Sequence, residues 1–116
     1  MSVIYVDIDN TICTQNGIQY SDAKPIRDNI KIVNDLYDAG NTIVYWTARG
    51  TKTGINHREL TEQQFKSWGV KYHELKFNKP AYDLFIDDKA INSVNNARYF
   101  LNDKNYSSQE TYQFFM

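Results

Sequence analysis

Four short apolar runs, at residues 3–6, 42–46, 72–75 and 84–86, alternate with amphipathic stretches, and this alternation constrains the fold more than any other feature of the chain. Strands separated by helices pair in parallel, so the pattern predicts an α/β domain with a mainly parallel sheet. Val3-Ile4-Tyr5-Val6 and Thr42-Ile43-Val44-Tyr45-Trp46 are near-continuous β-branched and aromatic runs, the composition of strands buried on both faces. Between them Pro25 can open a helix. Ile26, Ile30, Val33, Leu36 and Tyr37 then form one apolar stripe, and Gly40 is placed to end it. A second helix is expected from Arg58 to Trp68, stopped by Gly69, with a weaker stripe of Leu60, Gln64 or Phe65, and Trp68. Ile91, Val94, Asn95, Arg98 and Leu101 predict a third helix.

With 116 residues the chain fits one domain, residues 1–116, with a core over about 3–101 and a tail over 102–116 that has no clear period. Such a chain buries roughly two thirds of its unfolded surface, enough to fold without disulfides or metals. No run of about 18 apolar residues exists, so no membrane span is expected. The N-terminal stretch has no basic start and is interrupted by Asp7, unlike a signal peptide. Cys13 is the single cysteine and can form neither an intrachain disulfide nor a thiolate cage, which points to the cytoplasm. Thirteen basic and fourteen acidic residues give a net charge of −1, so a global basic field for nucleic acid is absent, although a local patch is compatible with it.

Three of the four expected strands end in a polar residue that strand propensity does not explain: Asp7, Thr47 and Asp87. In open parallel sheets ligands bind beyond the carboxyl ends of the strands, so these groups are expected at one rim. An isolated Asp7-x-Asp9 would most often serve a turn or a helix cap. An EF-hand is excluded, because its sixth and twelfth positions would be Ile12 and Ile18. The chemical alternative makes one carboxylate a nucleophile and the other a proton donor and acceptor. Carboxylates crowded together call for a cation, and Mg²⁺ favours carboxylate oxygen and water, so Asp7 and Asp87 form a candidate Mg²⁺ site.

Asp7-Ile8-Asp9-Asn10-Thr11 resembles the first motif of the haloacid dehalogenase-like (HAD) superfamily, Asp-x-Asp-x-Thr after a hydrophobic strand. Thr47 is similar to its second motif, Lys79 to its third and Asp87-Asp88 to its fourth, all in family order. The resemblance spans roughly residues 3–101; Asn10 stands where Gly is commonest, and Asn tolerates unusual backbone angles. It implies a three-layer Rossmann-like fold and a phosphatase. Asp7 would attack phosphorus to form an aspartyl-phosphate. Asp9 would protonate the leaving oxygen and then activate water. Thr47 and Lys79 would hold the phosphoryl group. Mg²⁺ would be held by Asp7, the Asp9 carbonyl and Asp87, supported by Asp88. Lys76 is a rival for the phosphate-binding lysine; Lys79, followed by Pro80 just before the fourth run, is preferred.

Neither the interval from Asp9 to Thr47 nor that from Thr47 to Asp87 leaves residues for a cap domain. An open site can accept a large substrate, or another subunit of a homo-oligomer can cover it. After Thr47 and Ala48, the residues Arg49, Lys52, His57 and Arg58 follow with no intervening acid, and either form an ordinary solvated cluster or an anion-binding, substrate-selecting rim. The stretch from Trp46 to Gly50, with Trp68-Gly69-Val70 and Lys79-Pro80, resembles small capless members linked to bacterial surface-polysaccharide biosynthesis, which implies a sugar phosphate substrate. A polynucleotide 3′-phosphatase is an alternative, with aromatic residues as stacking surfaces. A receiver-like phosphoacceptor domain is the alternative outside the enzymes, but its acidic pair comes early in the chain, whereas here an Asp pair comes late. His57, His73 and Cys13 are given no catalytic role.

Overall fold

The computed structural model describes residues 2–15, 17 and 19–97. Three strands, β1 (Val3–Val6), β2 (Thr42–Trp46) and β3 (Glu74–Lys76), form a parallel sheet in the order β1-β2-β3. Helix α1 (Arg27–Asp38) connects the first two strands and α2 (Arg58–Trp68) the last two. The chain is thus a small α/β domain, as the alternation of apolar runs requires. Both helix boundaries fall within two residues of the expected ones. Gly69 adopts a left-handed φ of 70° and caps α2, its N–H reaching the last-turn carbonyls, a geometry that costs other residues more.

Strand pleating sorts the sheet into two faces. Ile4, Val6, Ile43, Tyr45 and Leu75 share one face through the registers Ile4↔Ile43, Val6↔Tyr45 and Tyr45↔Leu75. Ile30, Val33 and Leu36 of α1 and Phe65 and Trp68 of α2 join that same core. Right-handed crossovers explain this: a sheet that grows in one direction receives both of its helices on one side. Expected burial on both faces is therefore corrected for β1, where Val3 and Tyr5 lie exposed on the opposite face. Among the described residues the domain has two layers. Tyr45 and Phe65 meet edge to face at 4.9 Å, and Tyr72 packs on Phe65 at 5.1 Å. Tyr72 thus lies outside the third strand, which begins two residues later than expected and ends one residue later.

Two expectations fail at the C-terminal end of the described chain. Residues 84–86 form no strand, and Leu84, Phe85 and Ile86 are 76%, 54% and 88% exposed. A run of three apolar residues makes a strand only where an edge receives it, and here they stand clear of the sheet. Of the expected third helix, the described part forms a 3₁₀ turn at Val94–Ala97, where Val94 and Ala97 pack against the core. Arg98, Leu101 and the 102–116 tail lie outside the described residues. No helix among the described residues is long and apolar enough to cross a membrane.

Candidate functional site

The carboxyl ends of β1 and β2 are adjacent, because Val6 pairs with Tyr45. Asp7 and Asp9 therefore leave β1 beside the end of β2, where Thr47 follows Trp46. After Asp9 the chain turns sharply: Asn10 takes a left-handed φ of 60°, and the Thr11 and Ile12 N–H groups both donate to the Ile8 carbonyl. Asn29 of α1 ties the turn down by donating to the Thr11 carbonyl at 2.8 Å. Asn fills this position because its short polar side chain tolerates left-handed backbone. The turn leaves the Asp7 carboxylate 40% exposed and pulls Asp9 inward to 19%.

Lys79 comes to Asp7 from the far side of the sheet. Its backbone N–H donates to the Thr47 carbonyl at 3.1 Å, while Thr51 Oγ1 donates to the Lys79 carbonyl at 2.8 Å. Clamped at both ends, the residue places its ammonium 3.5 Å from Asp7 Oδ1. Lys76, the sequence rival, sits on the outer face of β3 and donates instead to Tyr5 Oη at 3.3 Å. Burial raises the Asp7 carboxyl above its ordinary value of 3.8; the Lys79 charge opposes that rise and the nearby Asp9 charge adds to it.

Thr47 is almost fully buried, and its hydroxyl oxygen accepts the Arg49 N–H at 3.1 Å. A hydroxyl that accepts keeps its own hydrogen to donate. Arg49 itself departs most from expectation. Expected in a solvent-facing basic loop, its side chain is 0% exposed. Its Nε donates to Asp9 Oδ2 at 3.0 Å and its Nη2 to Asp9 Oδ1 at 2.9 Å. Nη1 donates to Thr61 Oγ1 at 3.0 Å and Gln64 Oε1 at 2.6 Å, and Nη2 also approaches Cys13 Sγ at 3.8 Å. The Tyr20 ring covers the guanidinium at 4.8 Å. A desolvated cation persists only when paired and fully hydrogen-bonded, and this one is.

The remaining basic residues divide. Arg58 opens α2, donates to the Leu75 carbonyl at 3.1 Å and stacks on Phe77 at 4.8 Å, so it braces β3. Lys52 stays exposed and, with Ala48, lines a pocket of about 580 Å³ together with Tyr20, Ile55, His57 and Leu60. Among the described residues no acidic side chain lines that pocket. Its wall is shaped at Gly50, whose φ is 82° and where a Cβ would collide with the Ile55 carbonyl. The expected rim of three cations is thus corrected to Lys52 alone of Arg49, Lys52 and Arg58.

Asp87 and Asp88 lie on the exposed irregular segment after 84–86 and are not gathered at Asp7: among the described residues no three His, Cys, Asp or Glu side chains form a metal cage. Cys13, Tyr20, Thr61 and Gln64 are site residues that the sequence reading did not assign. Gln64 carried a signal, a polar residue on the apolar stripe of α2. Cys13 donates weakly to Asp9 Oδ1 at 3.5 Å, and burial pushes its thiol up to about 12, so it is not a poised nucleophile.

Among solved structures, the chain is similar to a structural-genomics target from Vibrio cholerae, with a TM-score of 0.78 and 25% identity over 99% of this chain and 97% of that one. No protein-family model matches the chain, and no curated protein matches it.

Proposed function

We propose that the protein is a phosphomonoester hydrolase of the HAD type, acting through an aspartyl-phosphate on Asp7. The observation that carries this reading is the Lys79 ammonium held 3.5 Å from a half-exposed Asp7 at the carboxyl rim of a parallel sheet, beside a Thr47 hydroxyl whose hydrogen is available to donate. Phosphoryl transfer needs positioning and charge neutralisation more than covalent machinery. Asp7 Oδ attacks phosphorus as the bond to the leaving oxygen breaks. Thr47 and Lys79 donate to the phosphoryl oxygens, and Asp9 supplies the proton to the leaving oxygen.

Mg²⁺ fits the donors at hand as a weakly chelated ion, since it is commonly bound by one or two carboxylates together with water and substrate phosphate. Asp7 and the Asp9 carbonyl would hold it. The ion supplies charge neutralisation at the phosphate.

The leaving group belongs in the pocket beside Thr47. Ile55 and Leu60 offer apolar wall, whereas Gln19, Ser21 and Thr53 offer hydrogen bonds, a mixture that suits a sugar with its C–H faces and hydroxyls. The test is phosphate release from a panel of sugar phosphates, nucleotides and 3′-phosphorylated oligonucleotides with Mg²⁺. Turnover lost after chelation and lost in Asp7→Asn is expected; undiminished activity in Asp7→Asn refutes the nucleophile.

A further inference from the structure

We infer that Arg49 is the positioning residue for proton transfer by Asp9, a role that rests on the phosphatase reading above. A guanidinium has five N–H groups in a fixed planar fork. Here the fork meets five acceptor atoms: both Asp9 oxygens, Thr61 Oγ1, Gln64 Oε1 and the Cys13 sulfur. Two of these anchors are themselves fixed. Thr61 Oγ1 donates to the His57 carbonyl at 2.7 Å, and Gln64 Nε2 donates to the Tyr20 carbonyl at 2.7 Å. With every N–H engaged among the described residues and no solvent to turn towards, the side chain holds the plane of the Asp9 carboxyl.

The contacts also distinguish the two oxygens. Asp9 Oδ1 receives Arg49 Nη2 and lies within reach of the Cys13 thiol, whose one hydrogen is shared between it and the Ile8 carbonyl, whereas Oδ2 receives Arg49 Nε alone. A carboxylate oxygen offers two lone-pair positions, so Oδ2 keeps one on which Asp9, an anion paired with Arg49, takes up a proton from solvent before the first cycle. In the first half-reaction that proton passes from Oδ2 to the leaving oxygen while the bond from phosphorus to it breaks and the bond to Asp7 forms. In the second, water gives a proton back to Oδ2 as its oxygen attacks phosphorus and the bond to Asp7 breaks. Arg49, Thr61 and Gln64 do not line the pocket given to the leaving group, so Arg49 acts through Asp9.

Leaving-group chemistry separates this role from a merely structural one. A proton donor matters for an alkoxide that leaves poorly and little for p-nitrophenolate, which leaves unaided. Arg49→Lys keeps a cation but cannot hold both oxygens with one planar fork. The experiment measures kcat for an alkyl phosphate and for p-nitrophenyl phosphate, with Mg²⁺, in wild type, Asp9→Asn, Arg49→Lys and Gln64→Leu. Asp9→Asn should lose about 100-fold or more on the alkyl phosphate and far less on the aryl phosphate. Arg49→Lys should show the same selective loss, and Gln64→Leu a milder one, of about 10-fold, by the same mechanism. Gln64→Leu decides the matter if Arg49→Lys does not fold. Equal losses on both substrates in Arg49→Lys or Gln64→Leu, beside a selective loss in Asp9→Asn, overturn the role of Arg49 while leaving the phosphatase reading intact. Absence of wild-type turnover, or full turnover in Asp7→Asn, overturns both.

Discussion

Replacing Arg49 by Met should be among the most destabilising single changes in this domain. The methionine fills much of the space but supplies no donor. Asp9, 19% exposed, is left as a charged group beside Cys13 without the guanidinium that held both of its oxygens. Removing one partner of a buried pair costs about 3–5 kcal/mol. Gln64 Oε1 also loses its donor, though its amide nitrogen keeps the Tyr20 carbonyl. An unfolding entropy of about 2.1 cal/mol/K per residue gives about 0.24 kcal/mol/K for a 116-residue chain. The loss therefore corresponds to a Tm about 12–20 °C lower. Since whole domains are stable by only about 5–15 kcal/mol, the variant should sit close to its folding limit. The decisive assay is a double-mutant cycle by urea unfolding with Asp9→Asn, Arg49→Met and the pair. Because the amide carries no charge to strand, the double variant should recover about 2 kcal/mol relative to the sum of the singles. Additivity within about 0.5 kcal/mol would show that the two residues do not support each other, and the reasoning from their contacts would fail.

Asp7→Asn should gain stability at neutral pH. Burial raises the folded carboxyl above the unfolded one, so Asp7 contributes stability fully below its ordinary 3.8 and loses it as pH rises through the raised folded value. Urea midpoints should favour the variant at pH 7 and converge with wild type near pH 3; a variant less stable at pH 7 contradicts the sign. Lys79→Ala should lower kcat by roughly a hundredfold for alkyl and aryl phosphates alike, because it touches the transferring group rather than the leaving group; a loss confined to one substrate would move Lys79 to the leaving-group side. Tyr45→Phe should stabilise by about 1 kcal/mol, since Tyr45 Oη is buried without a hydrogen-bond partner among the described residues and a stranded hydroxyl costs about that much. A lower Tm in Tyr45→Phe would mean that the hydroxyl is satisfied.

What the sequence determined by itself was local. Periodicity placed α1 and α2, because an apolar stripe that recurs every 3.6 residues has one way to be buried. Continuous apolar runs placed β1 and β2, and the polar residues that end them put Asp7 and Thr47 on one rim, as parallel pairing in the register Val6↔Tyr45 demands. Lys79 is preferred to Lys76 in the sequence for its place with Pro80 just before the fourth run, and in the structure Lys79 reaches Asp7 whereas Lys76 donates to Tyr5 Oη. Tertiary structure decided what depends on partners distant in the chain. Residues 84–86 have the composition of a strand but not its position, because pairing is a property of an edge and not of a run. Arg49 reads as a solvated cation until Asp9, Cys13, Thr61 and Gln64 close around it, and no spacing in one dimension announces that enclosure. Burial converts the same guanidinium from a surface charge, worth little in water, into a fully bonded clamp on a carboxylate.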